Sequence, residues 1–121
     1  MDDEISAEEV ERLLESDEQP RIIDIRSPGA FARGHIPGSE NVPFGELPDR
    51  IGEFADADHI VTVCPHGKAS VQAARLINSY EGTGDARVES MAGGLDAWSG
   101  ELMANDETEA ADGGETPESP F

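Results

Sequence analysis

Between His59 and Tyr80 the hydrophobic period changes, and that change limits the folds open to this chain. Ile60, Val61 and Val63 form a short β-branched apolar run that predicts a buried strand, whereas Ala73, Leu76, Ile77 and Tyr80 recur at helical spacing. The six residues from Cys64 to Ala69 must then make a tight turn between them. In a strand, turn and helix of this kind the backbone N–H groups of the turn and of the first helical turn face inward, and the helix dipole adds partial positive charge. An anion at the Cys64 sulfur would be stabilised there. Cys64, the one cysteine of the chain, stands where the strand ends.

The flanking segments alternate in the same way. Ser6 as N-cap, Glu9 three residues on and Ile5 against Val10 predict a helix start with a capping box and a hydrophobic staple; Val10, Leu13 and Leu14 supply its buried stripe. That helix should stop before Gln19-Pro20, because a residue preceding proline disfavours the α region. Arg21–Ile25 reads as a short strand, central in the sheet. Pro28 suits a first helical position, Phe31 can pack inward, and Gly34 with Pro37-Gly38 forces a turn. Leu47, Ile51 and Phe54 fall at i, i+4 and i+7, with the helix proper starting near Leu47 beside Pro48. Gly82–Asp85 should cap the long helix by a left-handed turn before a last strand, Arg87–Met91. Strands alternating with helices argue for an α/β architecture: a mostly parallel sheet of about five strands covered by helices on both faces.

At 121 residues without an internal repeat, the chain fits one domain over residues 1–103 and a tail over 104–121. The tail has six acidic residues and no basic ones, which predicts a disordered solvating segment, an interaction tail being the alternative. No apolar run approaches the roughly 20 residues needed to span a bilayer. The acidic N-terminus lacks the basic region of a secretory signal, and a lone thiol used chemically needs a reducing compartment, so the expected location is cytoplasmic. The formal charge is −19, from 27 acidic and 8 basic residues. That balance argues against nucleic acid as a direct partner. Seven of the basic residues are arginine, and the one lysine, Lys68, lies in the cysteine turn. Such a surface resembles that of halophile proteins, whose self-repulsion is screened over about 3 Å at 1 M salt.

Two runs resemble the rhodanese family. Its signature, roughly Asp-x-Arg, an aromatic, then Gly-His-Ile-Pro-Gly-Ala-x-Asn-x-Pro, is matched at Asp24, Arg26, Phe31, Gly34, His35, Ile36, Pro37, Gly38, Asn41 and Pro43. Ser39 stands where alanine is usual, and Ala30 where an acidic residue is common. Ala92–Trp98 is similar to a second signature, Gly-Gly followed by a short helix carrying Ala-Trp. The resemblance runs from about Ile5 to Leu102 and implies the rhodanese-like α/β fold as a single domain. Read as residues alone, His35 is expected to bond backbone within its turn and Trp98 to pack in the core.

The resemblance implies that Cys64 is the nucleophile of a sulfurtransferase. It would take sulfane sulfur from thiosulfate or a persulfide, carry it as its own persulfide and pass it to cyanide or a thiol. The amides of His66, Gly67, Lys68, Ala69 and Ser70 would cradle the sulfur, with Gly67 free to adopt the φ the ring requires. Family members often carry basic side chains just after the cysteine and at the end of the loop; here those places hold Pro65 and Ala69. Lys68 is left as the main cation, with Ser70 as a neutral donor and His66 as a second donor or an exposed side chain. Thiosulfate is then expected to be a poor donor. The partners implied are the small donor and acceptor, with a sulfur-relay protein as a further one; no cofactor is implied.

Three other functions use residues of these types. A Cys-x5-Arg phosphatase also holds a cysteine in an amide cradle, but six residues after Cys64 stands Ser70, so the bidentate phosphate clamp is missing. Metal binding through Cys64, His66 and His59 lacks zinc-ligand spacing. A non-catalytic or partner-dependent carrier and docking module is the main alternative, against which stand the retained cysteine, glycine and lysine of the loop.

Overall fold

The computed structural model describes residues 4–17, 19–54, 56–80, 86–100 and 102–104. The Gly82–Asp85 cap and the acidic segment from residue 105 onward lie outside them.

Five strands are described: β1 (Glu4–Ile5), β2 (Arg21–Asp24), β3 (Glu40–Asn41), β4 (His59–Val63) and β5 (Arg87–Met91). They lie in the order β1-β5-β4-β2-β3, and every pairing is parallel. β4 is therefore central, and β2 is interior beside it, as its apolar run requires. β1 had no counterpart in the sequence reading, since two residues are too few to show a period; Ile5 pairs with Met91 while also joining the core beside Val10.

Alternation along β4 sorts the two faces. Ile60 and Cys64 join Ile23, Ile25 and Val88 in one apolar layer, covered by Leu47, Ile51 and Phe54 and by Ala73, Ala74 and Ile77. The opposite layer holds Ile22, Val61, Val63 and Met91 under Ala7 and Val10, with Leu13, Leu14, Leu95 and Trp98 packed against it. Helices thus cover both faces, as expected.

The first helix, α1 (Ala7–Leu14), starts where Ser6 Oγ accepts from the Glu9 amide at 3.1 Å. The Glu9 carboxylate turns to Arg12 instead of back to Ser6. α2 (Pro28–Arg33) opens with Ser27 accepting from Ala30 N and with Pro28 in the first turn. α3 (Leu47–Arg50) sits between 3-10 turns at Phe44–Glu46 and Ile51–Phe54, and all three residues of the expected apolar stripe are buried. α4 (Ala69–Asn78) follows β4, and a 3-10 turn at Gly94–Ala97 follows β5.

Two expectations about packing are corrected. Phe31 does not enter the core: α2 is too short to lay a face on the sheet, and the ring stacks on His35 at 3.8 Å between centroids. Tyr80 is exposed, because α4 ends at Asn78; the inward stripe is Ser70, Ala73, Ala74 and Ile77.

The rhodanese-like signature residues prove to be a clamp on the turn after β2. Asp24, 1 % exposed, accepts from the Arg26 guanidinium and backbone amide, and Arg26 also donates to the Gly34 carbonyl at 2.6 Å. Asn41 ties the same turn from β3 by donating to the Asp24 and Arg26 carbonyls. His35 bonds the Phe31 carbonyl through Nδ1, the backbone role expected of it, and pairs with Met103 in an antiparallel bridge.

Candidate active site

β2 and β4 are neighbours, yet the chain leaves β2 for the β3 edge and leaves β4 for β5 on the other side. In open α/β sheets such a reversal opens a crevice at the carboxyl ends of the strands, where ligands bind. Cys64 directly follows β4 at that end.

The loop Cys64–Lys68 folds back over the sulfur. Gly67 N donates to Cys64 Sγ at 3.0 Å and Ser70 N donates at 3.3 Å, the second from the first turn of α4. Gly67 reaches this position with φ +83, in the left-handed region that glycine tolerates. The thiol donates to Ser70 Oγ at 3.3 Å. Cys64 itself is 2 % exposed and Ser70 fully buried.

Burial alone pushes the Cys64 thiol up, because a thiolate loses hydration. Hydrogen bonds from the Ser70 hydroxyl and from the Ser70, His66 and Gly67 amides outweigh it, and the pKa falls below the usual thiol value. The stabilisation comes from neutral donors fixed before any substrate arrives.

The expected site residues are therefore brought together unequally. His66, Gly67 and Ser70 act on the sulfur through their backbone amides, and Ser70 also through its hydroxyl. Lys68 and Ala69 are exposed, and among the described residues their amides make no hydrogen bond to Sγ. The His66 imidazole turns away to Asp96, with Nδ1 2.6 Å from Oδ2. Among the described residues no three His, Cys, Asp or Glu side chains converge as a metal site would require.

Sequence reasoning did not foresee a second layer under the loop. A Cβ on Gly94 would stand 2.3 Å from the Cys64 carbonyl and 2.6 Å from the His66 and Gly67 amides, so the loop closes only over a glycine. Leu95 N donates to the Cys64 carbonyl at 2.9 Å and Asp96 N to that of Pro65 at 3.1 Å. The turn at Gly94–Ala97 is thus the floor of the cysteine loop. Ser90 Oγ lies 2.7 Å from Ser70 Oγ, and Thr62 Oγ1 donates to the Ser70 carbonyl at 2.7 Å. A signal existed for Thr62, a polar residue between Val61 and Val63; Ser90, which follows Glu89, gave none.

Comparison with known proteins agrees with this geometry. Residues 6–101 match the rhodanese-like domain family. The chain is 43 % identical over 79 residues to the thiosulfate sulfurtransferase GlpE of Stutzerimonas stutzeri, covering 64 % of this chain and 68 % of that protein. It is 33 % identical over 97 residues to YrkF, a proposed sulfur carrier protein of Bacillus subtilis, covering 80 % of this chain but about half (51 %) of YrkF. The crystal structure of a rhodanese-like domain protein from Staphylococcus aureus shares the fold, with a TM-score of 0.73 at 23 % identity over 84 % of this chain and 97 % of that one. This chain belongs to the rhodanese-like domain family, whose members include sulfurtransferases.

Proposed function

We propose that the chain is a sulfurtransferase that carries sulfane sulfur on Cys64. The observation that carries this reading is the Cys64 sulfur held at a strand end by two backbone amides and a hydroxyl that favour its thiolate. In the first step the thiolate attacks the outer sulfur of a donor. The new S–S bond forms as the donor's own bond breaks, and the pair of electrons leaves with sulfite, if the donor is thiosulfate, or with a thiolate, if it is a persulfide. In the second step cyanide or an acceptor thiolate attacks the outer sulfur of the Cys64 persulfide, and Cys64 leaves as thiolate.

A persulfide fits the mouth better than thiosulfate. The loop carries Lys68 as its lysine, Pro65 and Ala69 stand where relatives often place cations, and the exposed His66 imidazole is engaged by the Asp96 carboxylate. A dianion therefore meets one cation and a nearby carboxylate. The likeness to proteins named thiosulfate sulfurtransferase supports thiosulfate as a usable donor. A reducing compartment such as the cytoplasm suits a mechanism that needs the free thiol, and the acidic, lysine-poor composition suits molar salt.

Cys64→Ser tests the mechanism. It should abolish thiocyanate formation from thiosulfate or persulfide with cyanide while leaving the melting temperature within about 2 °C, since the slightly smaller hydroxyl can accept from the same Gly67 and Ser70 amides. Transfer retained in Cys64→Ser would remove Cys64 from the mechanism. A partner-dependent carrier would instead accept sulfur on wild-type Cys64 without transferring it to small acceptors.

A further inference from the structure

Ser90 takes no part in the proposed chemistry as described, yet it is fully buried at the end of β5, in register with Thr62 of β4 and against Ser70 of α4. Thr62 Oγ1 donates to the Ser70 carbonyl, so its hydrogen is committed there. The Ser70 hydroxyl stands between Cys64 Sγ at 3.3 Å and Ser90 Oγ at 2.7 Å. Sγ, Ser70 Oγ and Ser90 Oγ therefore follow one another in a hydrogen-bonded chain among buried residues.

We propose that Ser90 is a positioning residue that acts through Ser70, turning the Ser70 hydroxyl toward the sulfur whenever Cys64 is a thiolate. A hydroxyl has one hydrogen to give and lone pairs to receive. With the thiol protonated, S–H donates to Ser70 Oγ and Ser70 O–H is free to donate to Ser90. With the thiolate, Ser70 O–H must donate to Sγ, and its oxygen then accepts from Ser90 O–H. The sulfur's proton leaves to solvent or base; each serine proton only rotates, and no bond to either oxygen breaks. Removing the Ser90 hydroxyl leaves the Ser70 oxygen without that donor in the thiolate form, which weakens the bond Ser70 gives to sulfur.

The charged groups around the loop do not substitute for this pair. His66 and Lys68 lie on the loop, Asp96 lies on the Gly94–Ala97 turn and is engaged with His66, and the Asp24–Arg26 pair closes the neighbouring turn after β2. Among the described residues, the hydrogen bonds made by Sγ go to neutral groups.

The inference rests on the reading of Cys64 as a thiolate nucleophile, but its test does not require sulfur transfer. The rate of Cys64 alkylation by iodoacetamide against pH, in molar KCl, gives the thiol's midpoint in wild type, Ser70→Ala, Ser90→Ala and the double variant, each checked for its melting transition. Ser70→Ala should raise the midpoint by about 1 unit and Ser90→Ala by about 0.5 unit, the size expected when one neutral hydrogen bond is lost or weakened. In the Ser70→Ala background, Ser90→Ala should add no shift; in the otherwise wild-type chain, Ser90→Thr, which keeps the hydroxyl, should hold the wild-type midpoint. An unchanged midpoint in Ser90→Ala, or the same shift in both backgrounds, would overturn the proposal. If the midpoints shift as expected while no variant, wild type included, transfers sulfur, the relay stands and the transfer reading fails.

Discussion

A thiol buried at 2 % exposure is ordinarily a small hydrophobe, and its burial opposes ionisation. At Cys64 the opposition is overcome by donors within six residues of chain, so the change of period already placed inward-facing amides at the sulfur, while the parts played by Gly67 and Ser70 came with the family resemblance. What spacing could not show is the support from afar: Ser90 lies 20 residues beyond Ser70, and Asp96 lies 30 beyond His66. Sheet pairing, not local period, brings these together. The lowered pKa has a sign that can be tested. Iodoacetamide should alkylate Cys64 with a midpoint below the roughly 8.5 of a free thiol, and a midpoint at or above that value would show that burial wins. Because the folded pKa is the lower one, the ionised thiol stabilises the fold above the unfolded pKa, and that contribution is lost as pH falls through the folded pKa.

At the scale of elements, the turn at Gly94–Ala97 and the cysteine loop behave as one unit, joined by two backbone hydrogen bonds and a contact only glycine permits. The Gly-Gly signature was legible in the sequence, but its reason was not, because a close approach between two backbones leaves no periodic trace. Gly94→Ala and Gly38→Ala separate that reason from φ alone. Both glycines have positive φ, +62 and +84, but a Cβ at Gly38 meets nothing within 4 Å. Gly38→Ala should cost about 1 kcal/mol of backbone strain. Gly94→Ala should cost more than about 2 kcal/mol and also raise the alkylation midpoint of Cys64, as the loop amides move off the sulfur. Equal costs by denaturant titration, with an unmoved midpoint, would separate the two segments. α1 and β1 teach a related lesson. Ser6 and Val10 were readable from capping chemistry, whereas the two-residue β1 is defined by its partner β5 and has no signature of its own.

Over the whole molecule, alternating periods were enough to read a parallel α/β sheet covered on both faces, because each element's buried stripe is long enough to count, except at the two-residue edges. The charge of −19 bears on conditions and not on topology. If the acidic surface is an adaptation to salt, molar KCl should raise the melting temperature over dilute buffer by roughly 4–8 °C for each kcal/mol of repulsion screened. An unchanged melting temperature would remove that reading. Whether Cys64 carries sulfur is read from the intact mass of the reduced protein in molar KCl after incubation with a low-molecular-weight persulfide and, separately, with thiosulfate. Cys64 should gain one sulfur, about 32 Da, in a larger fraction of molecules with the persulfide, and lose it to cyanide or dithiothreitol. No gain with either donor would contradict this and leave a docking module in place of a sulfur carrier.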